Sequence, residues 1–264
     1  MPSNSLMTKI RVLAACAAVA MCALAFQPAP RSASAADAFS DEQKAQIGEI
    51  VKDYLIKNPE VIIEIQAALE AKMEKEQADK LKSFMSENAK TIYRNPNSSV
   101  AGNPDGDITV VEFFDYNCGY CKRGMPELQK LIENDKRVRV VFKELPILSK
   151  GSEEAARAAL AAKRQGKYWE FHLALLGHEG KVTRASVDEI AAAQGLDVEK
   201  LKEDMKSPEI AKVIAANQQL AQDLNITGTP AFIIDKTVVP GYLPVDGLMA
   251  AINEVRATGG CKLC

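Results

Sequence analysis

Two cysteines spaced two residues apart, Cys118-Gly119-Tyr120-Cys121, follow closely on an apolar run, Val110-Val111-Glu112-Phe113-Phe114, and open a stretch with helical spacing. That position, where a strand gives way to a helix, constrains the chain more than any other feature. At a helix N-terminus the first thiol meets unpaired backbone N–H groups and the positive end of the macrodipole, both of which favour thiolate. A thiolate is the nucleophile of disulfide exchange. A second thiol one turn later is placed to attack a mixed disulfide and release the client. Cys118 is therefore the candidate attacking residue and Cys121 the candidate resolving residue. The competing reading, half of a structural zinc site, needs two more soft ligands. His172 and His178 are the only histidines, and both fall in an Ala/Leu-rich helical stretch; Cys261 and Cys264 are the other source. The strand–turn–helix context favours redox over metal chemistry, so no metal and no cofactor is assigned.

The N-terminus carries Lys9 and Arg11 without acids, then an apolar run from Val12 to Phe26, then the small-residue site Ala33-Ser34-Ala35. This is the pattern of a secretory signal peptide, with cleavage expected near Ala35 or Ala36. Leu13-Ala14-Ala15-Cys16 resembles a lipoprotein cleavage box, but almost no apolar core precedes it. Cleavage removes Cys16 and Cys22 and leaves two C-x-x-C pairs in an oxidising compartment, the periplasm. It also removes Lys9, Arg11 and Arg31, taking the formal charge from −2 to −5. An acidic chain without a basic block argues against a nucleic-acid partner.

Ser40-Asp41-Glu42-Gln43 has capping-box form, and Ile47, Ile50, Val51, Tyr54 and Leu55 follow at helical spacing. Asn58-Pro59-Glu60 opens a second helix striped by Ile62, Ile65, Leu69 and Met73 and extended by Leu81, Phe84 and Met85; a loop follows at Asn95–Ser99. The stripe needs cover, either from the chain's own second domain or from other copies of the chain.

From about residue 100 the spacing predicts a strand over 107–114, a helix over 118–132 and a strand over 138–142, a βαβ unit, with Pro126 kinking its helix. An Ala-rich helical region follows from Ser152 to about Leu224, with caps at Ser186-Val187-Asp188-Glu189 and Ser207-Pro208-Glu209. A hairpin over 231–234 and 237–239 and a last helix over 245–255 complete a thioredoxin plan with an inserted helical domain, an α/β class. The segment from Val111 to Arg123, with Gly228-Thr229-Pro230-Ala231-Phe232 downstream, resembles the DsbA-like disulfide oxidoreductases of bacterial envelopes over residues 98 to 257. The added N-terminal helices make the chain most similar to the ScsC (suppressor of copper sensitivity C) branch. The expected division is a signal peptide (1–36), a helical stalk (37–97), a DsbA-like domain (98–258) with its insertion at about 148–224, and a flexible C-x-x-C tail (259–264).

The resemblance implies a cis peptide bond before Pro230, with Thr229 and Pro230 clamping an extended substrate strand beside the cysteines. It also implies a buried carboxylate near the second cysteine, for which Glu112 is the candidate. A buried Glu112 has a raised pKa and can pass protons to and from Cys121; an edge-facing, solvated acid is the alternative. The dipeptide Gly119-Tyr120 replaces the Pro-His of the strongly oxidising DsbA type, which implies a less oxidising disulfide. The resemblance further implies a homo-oligomer through residues 37–97, with a trimer favoured. The resulting expectation is a disulfide isomerase or reductase acting on exported client proteins and kept reduced by a membrane-embedded thiol partner. A monomeric dithiol oxidase and an envelope copper-binding protein using Cys261 and Cys264 are the alternatives.

Overall fold

A computed structural model describes residues 39–264. The expected signal peptide, its cleavage site, Cys16 and Cys22 lie outside the described residues. The chain divides into two units between Ala71 and Lys72.

The first unit contains α1 (Asp41–Lys57) and the start of α2 (Glu60–Glu87). Ser40 caps α1 reciprocally: its Oγ accepts the N–H of Gln43, whose side chain accepts the N–H of Ser40. This satisfies two of the donors that a helix start leaves open. The apolar stripe reaches solvent, with Ile50 68% exposed, Tyr54 56%, Ile62 50% and Leu69 55%.

The second unit is built on a five-stranded sheet of order β1-β3-β2-β4-β5. Its strands are β1 (Ser99–Gly102), β2 (Ile108–Phe114), β3 (Val138–Glu144), β4 (Ala231–Ile234) and β5 (Thr237–Pro240). β2 and β3 run parallel, joined by α4 (Gly119–Asn134); the remaining pairs are antiparallel. Five helices, α5 (Lys150–Arg164), α6 (Tyr168–Gly177), α7 (Arg184–Ala193), α8 (Val198–Asp204) and α9 (Pro208–Asp223), separate β3 from β4, and α10 (Val245–Ala257) follows β5. β2 is central and wholly buried, so alternation along it feeds two cores. Val110 and Phe114 join one cluster with Cys118, Cys121, Phe142 and Phe171; Val111 and Phe113 join the other with Met85, Ile92 and Tyr93.

Four features differ from the sequence reading. The stalk does not extend to residue 97: the second unit begins at Lys72, and Met85, Ile92 and Tyr93, the last two from α3 (Ala89–Tyr93), are fully buried in it. Spacing reveals an apolar stripe but not which neighbour covers it. β1 takes in Ser99, read as loop, and residues 100–102, to which the spacing assigns no element; four residues are too few to show alternation, and its partner β3 is distant in sequence. The cap of α7 is Thr183, with Ser186 serving as the third helical residue that bonds back to it. The C-terminal tail, expected to be flexible, is tied down: Asp235 Oδ1 accepts the N–H groups of Lys262 (2.8 Å) and Leu263 (3.2 Å).

If residues 72–97 belong to the second unit, Ile92→Ala should cost about 2–5 kcal/mol, the range for emptying a buried aliphatic site. A chain beginning at residue 98 should likewise be less stable than one beginning at 72. Urea unfolding measures both, and equal stability of the two chains would contradict the assignment.

Candidate functional site

Cys118 is the N-cap of α4, with extended backbone (φ −77°, ψ 117°). Its Sγ accepts the N–H of Cys121 at 3.4 Å, the role a Ser or Asp oxygen normally fills at this position. As a thiol, the same Sγ donates to the carbonyl of Thr229 at 3.1 Å. The Thr229–Pro230 bond is cis, as the resemblance implies. Thus Cys118, Cys121, Thr229 and Pro230 come together from the β2–α4 junction and the start of β4.

The two thiols are held at opposite extremes. Hydrogen bonding from the Cys121 thiol, the Thr229 side chain and the backbone N–H groups of Cys121 and Tyr120 outweighs burial and pulls Cys118 down to about 6. Cys121 is fully buried, and burial, then the hydrogen bond to Cys118 and the charge of Glu112, push its thiol well above the ordinary range. At neutral pH Cys118 is therefore a thiolate and Cys121 keeps its proton.

Gly119 and Tyr120 face outward. A Cβ on Gly119 would meet nothing within 4 Å, so this position borders open space. Tyr120 is 58% exposed, with the Arg123 guanidinium 5.3 Å from its ring centre. Glu112 is fully buried rather than solvated at an edge, in register with Phe142 and Phe232 on the neighbouring strands. Neither of its oxygens has a hydrogen-bond partner, and burial, with the Cys118 charge, raises it to about 8. A carboxyl that keeps its proton at neutral pH is suited to exchange it with a neighbouring thiol. A half-open groove of about 350 Å³ runs along the Thr229–Pro230 loop, lined by Ile226, Thr227, Gly228, Val238 and Pro240; neither cysteine lines it.

Several residues escaped the sequence reading. Asp115 Oδ1 accepts the N–H of Asn117 (2.7 Å), while Oδ2 accepts those of Ile147 (2.9 Å) and Leu148 (3.0 Å). This fixes two exposed apolar residues close to the motif. Asn117 bonds both N–H and C=O of Val182, and Lys122 Nζ donates to the carbonyls of His178 (2.6 Å) and Gly180 (2.7 Å). Loop 178–182 of the insertion is thereby strapped beside the cysteines. The Asp-x-Asn spacing is an Asx-turn signal and was legible; the long-range partners were not. His172 is buried, with Nδ1 2.9 Å from the Tyr116 hydroxyl.

A C-x-x-C of this geometry on this sheet defines a thioredoxin-fold oxidoreductase. The DSBA-like thioredoxin domain model matches residues 109–253, and a model described as the copper resistance protein ScsC N-terminal domain matches residues 43–76. The chain belongs to the DSBA-like thioredoxin family and is a thiol–disulfide oxidoreductase of the DsbA/ScsC type. A thioredoxin-like oxidoreductase from Silicibacter pomeroyi is 49% identical, covering 64% of this chain and 97% of its own, with a TM-score of 0.63. A linker-deletion form of ScsC from Proteus mirabilis is 25% identical, covering 86% of this chain and 100% of its own, with a TM-score of 0.65. Disulfide bond formation protein D of Bacillus subtilis is 27% identical over 59% of this chain and 75% of its own. Curated relatives also include a sodium/proton antiporter of Salinispora arenicola, 31% identical, of which the chain spans 24%.

Alkylation of the reduced protein by iodoacetamide should titrate Cys118 with a midpoint near pH 6, leaving Cys121 unmodified at pH 8 while the fold is intact. A midpoint at about 8.5, the value of an unperturbed thiol, would contradict the thiolate assignment. Glu112 makes a second prediction. Its folded value, about 8, lies above its ordinary 4.5, so its ionisation opposes folding: the cost is absent below pH 4.5 and grows up to pH 8. Glu112→Gln should therefore raise stability at pH 8, by about 3–5 kcal/mol at 1.36 kcal/mol per pH unit, and change it little at pH 4. Equal gains at both pH values in denaturant titrations would contradict a buried, titrating acid.

Proposed function

We propose that the chain is a periplasmic protein disulfide isomerase or reductase that works with Cys118 reduced on exported clients. The observation that carries this reading is the thiol pair itself: a thiolate at Cys118 beside a protonated, buried Cys121. In the catalytic cycle the Cys118 thiolate attacks a client disulfide, forming a mixed disulfide and expelling one client thiolate. That thiolate can then attack another bridge in the client, and the client thiolate expelled there attacks the client sulfur of the mixed disulfide, which forms a new client bridge and restores Cys118. Failing this, Cys121 loses its proton, attacks Cys118 Sγ and releases a reduced client. Glu112, in the minor ionised form that a pKa of about 8 leaves at neutral pH, takes the Cys121 proton in the second route. Thr229 and Pro230 hold the client's extended strand, and the groove along their loop receives its side chains.

The pKa of about 6 at Cys118 supports a moderate redox poise. It lies between about 3.5 for a strongly oxidising DsbA-type thiol and about 7 for thioredoxin. A membrane-embedded thiol partner would reduce the resulting Cys118–Cys121 disulfide. Exposed Ile50, Tyr54, Ile62 and Leu69 support self-association through the first unit, with a trimer favoured, which would set several thiolates around one misfolded client. Similarity to a disulfide bond formation protein of Bacillus subtilis favours the second reading, a monomeric dithiol oxidase.

Cys118→Ser should abolish both the rescue of scrambled ribonuclease and the oxidation of reduced peptides. Starting the chain at residue 72 should convert the oligomer to a monomer by light scattering and lower ribonuclease rescue severalfold, leaving peptide oxidation intact. Rescue unchanged by that truncation, or absent in the full chain alongside rapid peptide oxidation, would favour the oxidase.

A further inference from the structure

Cys261 and Cys264 form a disulfide at the C-terminus. The exchange reaction at Cys118 makes no use of this pair, and the fold keeps the two sites apart. Cys264 contacts Thr109 near the start of β2, whereas Cys118 lies beyond its end. Residues 109 to 114 alone span about 16 Å at 3.3 Å per residue.

The pair has its own surroundings. The N–H of Cys264 donates to Cys261 Sγ at 3.1 Å, the same i to i+3 contact that Cys121 makes to Cys118. The buried N–H of Thr109 donates to Cys264 Sγ at 3.2 Å. Here the β2–β4 ladder ends at Val110 opposite Ile234, and the next position on β4 is the hairpin turn at Asp235. The Cys264 sulfur thus satisfies a ladder donor that β4 leaves without a partner. Asp235 Oδ1 stands 3.6 Å from Cys261 Sγ, and Arg94 Nε donates to the Cys264 carbonyl at 2.8 Å. Leu263 and Cys264 pack on the second core cluster, yet both cysteines remain partly exposed, unlike Cys118 and Cys121.

We propose that Cys261–Cys264 is a second redox-active site, a disulfide clasp that fastens the C-terminus over the open end of β2 and is released by a small thiol of the glutathione class. The reducing thiolate attacks Cys261 Sγ, breaking the bond to Cys264. The N–H of Thr109 stabilises Cys264 as the departing thiolate, whereas the Asp235 carboxylate disfavours charge on Cys261. A second small thiolate attacks the mixed disulfide at its outer sulfur. This releases Cys261, which takes up a proton and as a thiol points its S–H at the Asp235 carboxylate; Cys264 also takes up a proton. The pair gains two electrons and two protons, and two small thiols leave as one disulfide. A bridge spanning three positions in sequence closes too short a loop to restrict the unfolded chain much, so its effect is local: it shapes the tail that covers Thr109.

The test uses the chain carrying Cys118→Ser and Cys121→Ser, equilibrated in reduced and oxidised glutathione. Mass spectrometry counts alkylated Cys261 and Cys264, and amide exchange is read at Thr109 and Leu263. The proposal expects a reversible two-thiol titration within the folded state and exchange at both amides about tenfold or more faster in the reduced form. Cys264→Ser in the unaltered chain should show the same fast exchange in any buffer. A disulfide that persists in excess reduced glutathione while the fold is intact would overturn the proposal, as would exchange at Thr109 that is indifferent to the pair's state.

Discussion

A sulfur atom caps α4. The first turn of a helix presents N–H groups that lack backbone partners, and here they converge on Cys118 Sγ, so the helix start and the thiolate stabilise one another. The surroundings of this contact follow from it. β2 must be central and buried to deliver Cys118 to the helix start, and the Thr229–Pro230 segment must stand opposite to close the site. The carbonyl of Thr229 at 3.1 Å works the other way: it accepts a hydrogen bond from the thiol and repels the thiolate. The balance leaves Cys118 at about 6, acidic enough to react at neutral pH but well short of the strongest oxidants.

The second constraint is burial of acids without partners. Glu112 has no hydrogen-bond partner for either oxygen, and Glu144, also fully buried, has only the Tyr168 hydroxyl at 2.8 Å. Burial raises Glu144 to about 7. Both project from the sheet face that carries the cysteines, and both are groups a purely structural core would replace with apolar side chains. For Glu112 the proton held close to Cys121 supplies a reason; for Glu144 the contact to Tyr168 ties β3 to α6.

Features written in local chemistry were legible in the sequence. The apolar run over 110–114, the thiol spacing, Ser40 with Gln43, and Ser207 followed by Pro208 each predict an element that the structure contains, because each depends on neighbours within one turn. The pairing of Cys118 with Thr229, residues 111 positions apart, became legible only through resemblance. What stayed hidden depends on distant partners with no local signature. Thr183 was missed because Ser186, its reciprocal partner in the capping box, presents the same residue chemistry. The docked tail depends on Asp235, and the burial of Ile92 and Tyr93 on the far face of β2. Asn117 and Lys122 look like ordinary polar residues until loop 178–182 is folded against them.

The central claim, that the capping sulfur of α4 exchanges partners with client disulfides, is tested most directly by removing the resolving thiol. Cys121→Ser, mixed with a peptide containing one disulfide, should accumulate a covalent adduct that thiol reductant dissolves and that peptide mapping assigns to Cys118. An adduct confined to Cys261 or Cys264, or none at all at neutral pH, would contradict the account.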